Sequence, residues 1–217
     1  MPRRRAQLLP RQARSRETLQ RLLDAAEAML LKHGPEGATL PRIARQAGVA
    51  PANVYRRFRN KEALMAAVFN RFAERSSGAV KEQFDPESVR VLGLVQFSTN
   101  VIQGMVQGFR TSGPLTRAAM QYAEHHPRNP SIRATAASEA RGFQQMVDTF
   151  LIWRDEIKRP DPELAIRFAF LVVACVLRDL VVFDRMRLMR PVMTVDDELL
   201  KRELPRLFLH YLGVRNP

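Results

Sequence analysis

Cysteine is almost missing from this 217-residue sequence, Cys175 being the single example. No intramolecular disulfide can form, so stability has to come from a packed interior, and a reducing, cytoplasmic setting is the expectation. Long apolar runs are missing as well. The longest, Phe168 to Leu177, stops at Arg178-Asp179, well short of the ~20 residues a membrane span needs. The opening MPRRRAQLLPRQARSR has charge but no apolar segment of ~7–15 residues, so no secretory signal is expected. Alternating apolar and polar runs of useful length are also lacking, which removes strands from the expected fold. There is no nucleophile elbow, phosphate-binding glycine loop or HExxH motif. His125-His126 has no companions at metal-ligand spacing. Nothing here leads to an expectation of an enzyme, a metal or a cofactor.

What the sequence does have is apolar mass and unevenly placed positive charge. Hydrophobic residues make up 46%, ample for a packed core in one domain or two small ones. The formal net charge is +13. Residues 1–75 hold 16 Lys/Arg against 6 Asp/Glu, while the remainder holds 19 against 16. A coding bias towards arginine would not produce that asymmetry. A basic N-terminal third suits a module that faces a polyanion.

Helical periodicity runs through the whole chain. Leu19, Leu22, Leu23, Ala26, Met29 and Leu30 predict a first helix from about Arg16 to His33, with Ser15 as N-cap and Gly34 as terminator. Residues 1–14 have five arginines, two prolines and no period, and are expected to be a disordered basic arm. Thr39 predicts the cap of a second helix with Pro41 in its first turn, and Asn60 the cap of a fourth. Later starts repeat one device, an N-cap side chain before a proline, at Asp85-Pro86, Asn129-Pro130 and Asp161-Pro162. Gly113-Pro114 predicts a shorter helix, and Thr194 with Asp197 resembles a capping box. The expected segments are 86–110, 114–125, 130–157, 162–187 and 195–212, with Pro205 kinking the last.

Between Thr39 and Lys61 the pattern reads helix, tight turn, short helix. Ile43, Ala44 and Ala47 share an inner face, Gly48 can take the left-handed conformation that ends a helix, and Pro51 suits the first position of the next. At ~100° per residue, Val54 and Phe58 face inward, with Ala52, Asn53 and Arg56 roughly opposite. A short helix with such an outer edge fits a major groove. Asn53, Arg56 and Arg57 are the candidates for base edges, because arginine can read guanine and asparagine adenine bidentately. Arg57 lies off the outer axis and could equally serve phosphate. Arg42 and Arg45 are either backbone contacts or a solvated face.

Residues 16–72, and above all Thr39, Ile43-Ala44, Ala47-Gly48-Val49, Val54-Tyr55, Phe58 and Lys61-Glu62-Ala63-Leu64, resemble the tetracycline-repressor (TetR) family of bacterial transcription regulators. The resemblance implies an all-α fold: a three-helix helix-turn-helix DNA-binding domain at 15–60, a connecting helix at 61–82, and a helical ligand-binding and dimerisation domain at 83–217. It implies a homodimer on a palindromic double-stranded operator, released when a small molecule enters the later domain. Thr39, Tyr55 and Lys61 match family positions that hold DNA phosphates, contacts that set register without reading sequence. Two departures stand out. Ala50 replaces a frequent serine, removing a cap of ~1 kcal/mol, and Ala52 replaces a frequent glycine.

The later segments are strongly apolar. Residues 164–183 are apolar nearly all round, and Leu199, Leu200, Leu204, Leu207, Phe208, Tyr211 and Leu212 make a second wide stripe. Two such helices from each subunit could form a four-helix dimer interface. Met105, Phe109, Met120, Tyr122, Phe143, Met146, Phe150, Trp153 and Phe170 are candidates for the wall of an apolar effector pocket, with Arg178 as a possible anchor. The alternatives are a DNA-binding regulator with no small-molecule ligand, controlled by a protein partner or by expression level, and a lipid carrier whose basic end meets membranes. The spacing at 39–61 argues against the last.

Overall fold

The computed structural model describes residues 11–82, 86–184 and 191–214. Among them are eight α-helices and no strand, and the chain divides into two compact units, Met1–Phe72 and Ala73–Pro217. Residues 1–10 of the expected arm lie outside the described residues, as do Asp85 and residues 185–190.

The first unit holds α1 (Arg11–Gly37), α2 (Leu40–Gln46), α3 (Pro51–Arg57) and the first half of α4 (Lys61–Glu82). Most of the predicted apolar positions form its core: Leu22, Ala26, Met29, Leu30, Ile43, Ala44, Val54, Leu64 and Val68 are all buried, while Leu19 is half-buried. Two expectations about α1 need correction. The helix begins at Arg11, so residues 11–14 are helical, and Ser15 lies within the first turns and caps nothing. The backbone does break at Gly34 (φ 65), but one further helical turn follows through Pro35. Asn60 behaves as predicted, its side-chain oxygen accepting from the Ala63 amide at 2.9 Å.

The second unit contains α5 (Pro86–His125), α6 (Pro130–Phe150), α7 (Pro162–Leu177) and α8 (Asp197–Tyr211). Prolines start α6 and α7 as read from the sequence, and the Asp161 carboxylate accepts from the Leu164 amide at 3.0 Å. Gly113-Pro114 does not start a new helix. α5 runs through it, and its one backbone break falls at Gly93 (φ 73). α6 stops at Phe150 and tightens into a 3₁₀ turn, Leu151–Trp153, rather than continuing to 157. α7 stops at Leu177 and widens into a π turn, Arg178–Val182. α8 is capped by Asp196, which accepts from the Leu199 amide at 2.8 Å, and not by Thr194.

Pro205 does not end α8, which continues to Tyr211 with the proline buried inside it. A mid-helix proline has no N–H, so it strips the carbonyl four residues back of its usual partner. That carbonyl belongs to Lys201, and the Gln103 side-chain amide on α5 donates to it at 3.3 Å. The proline therefore creates the acceptor by which α5 holds α8. An ion pair at 2.5 Å between Arg110 and Asp197 adds a second tie between the same helices.

Five rings fill the centre of this unit. Phe97 lies 4.9 Å from Phe150 and 5.2 Å from Trp153, and Phe170 lies 5.1 Å from Phe150 and 4.7 Å from Phe208. These centroid separations fall in the favourable range for tilted and edge-on aromatic pairs. All five are buried.

Candidate nucleic-acid interface

Helices α2 and α3 are set against each other by backbone chemistry at Gly48. Its φ of 62 lets the chain turn where a side chain would be strained. The Gly48 amide then donates to the Arg45 carbonyl at 3.2 Å and the Val49 amide to Ala44 at 3.0 Å. That pair of bonds is the Schellman closure of α2. Val49 is buried against the helices it joins. Pro51 opens α3, and Ala50 offers no side-chain cap, as its methyl group requires.

α3 is anchored by Val54 and Phe58, both buried. Ala52, Tyr55 and Arg56 are exposed, with Tyr55 at 54%, and Asn53 is half-buried. No acidic residue occurs in α3. A row made of a methyl group, an amide, a phenol and a guanidinium can offer donors to base edges and phosphates without repelling them.

Arg57 faces elsewhere. Its terminal nitrogen donates to the Ser15 carbonyl at 2.8 Å and to the Ser15 hydroxyl at 2.7 Å. Its Nε is buried without a partner. The guanidinium is thus engaged in tying α3 to α1, leaving Arg56 as the free arginine of this helix. Thr39 sits at the N-cap of α2, yet its hydroxyl makes no capping bond, so that hydroxyl is available to an outside acceptor. Arg42 donates to the Gly37 carbonyl at 3.1 Å. Together with Met29, His33, Arg45 and Gln46 it lines a small concavity of about 210 Å³. Lys61 is half-buried at the first position of α4.

One group was not singled out from the sequence. Arg71 on α4, only 14% exposed, bonds Asp24 and Glu27 of α1 at 2.6 Å each and Gln20 at 3.2 Å. It fastens α4 to α1 and neutralises two of the carboxylates in this unit. Its partners are more than forty positions away in sequence, and no local pattern marks it.

The ten candidate effector residues do not form one wall. Phe150, Trp153 and Phe170 belong to the packed ring cluster. Met105, Phe109, Phe143 and Met146 are half-buried against that core. Tyr122 is buried, stacked on His126 at 4.2 Å with its hydroxyl near Asn129, and Met120 is half-buried on α5. Arg178 pairs with Asp179 at 3.2 Å beside the π turn, and that bond raises its already high pKa. A concavity of about 1070 Å³ lies instead along α7 and α8, lined by Ala169, Val172, Leu207, His210 and Tyr211 among others. None of the ten residues faces it. On the same helices Leu164, Phe168, Leu171 and Leu207 are exposed, Leu164 at 61%.

Comparison with known proteins places this geometry. Residues 22–68 match the family model of bacterial regulatory proteins, tetR family. A Bacillus subtilis protein, the uncharacterized HTH-type transcriptional regulator YvkB, is 37% identical over 68 residues, 31% of this chain and 35% of the relative. The matched part thus spans about a third of that relative's length. Among solved structures, a Mesorhizobium loti protein assigned to the TetR family superposes with a TM-score of 0.67 at 18% identity, covering 94% of this chain and 98% of the other. FadR from Bacillus subtilis in complex with stearoyl-CoA gives 0.61 at 20% identity, covering 87% and 96%. The multidrug binding protein EbrR complexed with ethidium gives 0.55 at 21%, covering 88% and 98%. At these identities the likeness is one of fold.

Proposed function

We propose that this chain, whose residues 22–68 match the family model of bacterial regulatory proteins, tetR family, is a dimeric, sequence-specific DNA-binding transcriptional regulator, a repressor released from its operator by a small, largely hydrophobic effector. The observation that carries the DNA reading is the outer face of α3. Ala52, Tyr55 and Arg56 are exposed there without a carboxylate, on a helix held by Gly48 on one side and by Arg57 on the other. Asn53 and Arg56 read bases; Thr39, Tyr55, Lys61 and Arg42 hold phosphates; Arg57 positions the helix.

The second copy docks on α7 and α8, where Leu164, Phe168, Leu171 and Leu207 are exposed together. A two-fold axis there makes the reading heads a pair and the operator a palindrome. The effector enters the second unit beside Met105, Phe109, Phe143 and Met146, under α6. Solved relatives bound to stearoyl-CoA and to ethidium support an effector of large apolar area. Release requires the effector to prefer one of two conformations, since equal affinity for both shifts nothing.

Selection of bound DNA from a random pool, followed by mobility shifts, tests the DNA reading. A palindrome with fixed spacing is expected. Arg56→Ala should relax the preference at one base pair, whereas Lys61→Ala should weaken every sequence alike and lower the salt slope by about one. Equal affinity for random and selected DNA would refute operator specificity. A regulator with no effector remains the second reading, favoured by the tight packing of the five central rings. It predicts no thermal shift with any hydrophobic compound.

A further inference from the structure

One buried hydroxyl in the second unit breaks a rule that its neighbours obey. Helical Ser and Thr side chains commonly bond back to the carbonyl four residues earlier. Thr99, Thr111, Ser112 and Thr149 all do so, at 2.6–2.9 Å. Ser98, next to Thr99 on α5, does not. It is fully buried, and its oxygen has no hydrogen-bond partner. The other two unpartnered buried atoms among the described residues, Nε of Arg57 and of Arg71, belong to guanidinium groups bonded through their other nitrogens. Ser98 is therefore the one buried side chain there with polar capacity wholly unspent, and such a group costs free energy.

Its position gives the cost a direction. Helical spacing places Ser98 on the inner stripe of α5 with Leu94, Ile102, Met105 and Phe109, the first two fully buried and the last two half-buried against the core. Of the described residues of α6, which packs on α5 and α7, only Val147 and Phe150 are buried. Among the described residues Ser98 is the one buried side chain that is polar, and none that is buried is charged. A guest entering here meets hydrocarbon, aromatic rings and one hydroxyl able both to donate and to accept. An ionised guest group would be buried without a counter-charge.

We propose that Ser98 is the polar anchor of the effector site, and that the effector is a neutral, predominantly apolar molecule whose single buried hydrogen-bonding group, a carbonyl or an alcohol, meets the Ser98 hydroxyl. This rests on the effector reading above and narrows it to a chemical class. It also separates this chain from the relative bound to the cationic dye ethidium.

The full-length protein supplies its own reporter. Trp153 is the sole tryptophan, and its ring lies 5.2 Å from that of Phe97, the residue before Ser98. Four probes of equal chain length are titrated against its fluorescence and against thermal unfolding: nonane, heptyl methyl ketone, nonyl alcohol and nonanoate. The wild-type protein should bind the ketone and the alcohol about tenfold more tightly than nonane or nonanoate, the ratio expected for one net buried hydrogen bond. Ser98→Ala should bind nonane as before, lose the preference, and melt without ligand at or above the wild-type temperature. A preference that survives in Ser98→Ala, or is absent from the wild type, overturns the anchor while leaving the effector site standing. Tightest binding of nonanoate overturns the neutral class. A ligand-free Ser98→Ala protein that melts several degrees lower shows that the hydroxyl already has an internal partner, and refutes the proposal. If none of the four probes changes fluorescence or melting in either protein, the effector reading itself fails.

Discussion

Replacing Arg57 by alanine should weaken DNA binding without changing what is read. The side chain makes two bonds to Ser15, at 2.8 and 2.7 Å, and bonds from a charged donor contribute about 1.5–3 kcal/mol. Against that stands the unpartnered Nε, whose burial costs about 1–3 kcal/mol and is relieved when the side chain is removed. Two such bonds are worth about 3–6 kcal/mol, so at the midpoints the balance is a loss of about 2–3 kcal/mol in the stability of the first unit. For a unit of this size, each kcal/mol lowers the melting midpoint by about 4–8 °C. α3 then spends part of its time away from α1, and every operator pays the same penalty. Competition between the selected operator and its single-base variants should give affinity ratios within about twofold of wild type, a change of less than ~0.5 kcal/mol. Arg56→Ala, by contrast, should lose about 1–3 kcal/mol of discrimination at one base pair with its melting midpoint unchanged. Ser15→Ala keeps the carbonyl acceptor and should show roughly half the Arg57→Ala destabilisation. If Arg57→Ala instead melts like wild type and relaxes the preference at a single base pair, Arg57 is a reader and not a clamp.

Arg71→Ala leaves Glu27, 19% exposed, without its guanidinium, while Asp24 is largely solvated. The expected loss is about 2–3 kcal/mol in urea unfolding, nearly all from the Glu27 pair, and a double-mutant cycle with Glu27→Gln should assign it there. Gly48→Ala must place a Cβ at φ 62. It should cost about 1–2 kcal/mol and reduce DNA affinity even though no contact to DNA is removed. Leu171→Glu, on the exposed stripe of α7, should shift the protein from dimer to monomer in light scattering and lower operator affinity far more than melting temperature.

How much of this was legible in the sequence depended on how far apart the interacting residues lie. The capping of α7 by Asp161 and of α4 by Asn60, and the turn at Gly48, are decided within four residues, and they could be read directly. The inner faces of α2 and α3 follow from a helical period and came out correctly. The roles of Arg57, Arg71 and Pro205 depend on partners 42 to 98 positions away, and nothing local distinguishes a clamping arginine from a reading one. The same limit shaped the list of effector residues. Composition can find large soft side chains, but Phe150, Trp153 and Phe170 proved to pack on one another. Ser98 carried no signal at all, since an orphaned hydroxyl is visible only once its surroundings are known. Thr194 failed as a cap because Asp196, two residues on, is the stronger acceptor and took the position.

The proline inside α8 frees the Lys201 carbonyl, and a side-chain amide on α5, that of Gln103, donates to it. Sliding α8 along α5 by a turn, or rotating it by a residue, would move apolar side chains among similar apolar neighbours, a change that hydrophobic burial penalises weakly. It would also strand the Lys201 carbonyl beneath a packed interface, which is penalised strongly. The pair works like a key cut for one notch: helices that could grip in many alignments are left with a single one that closes.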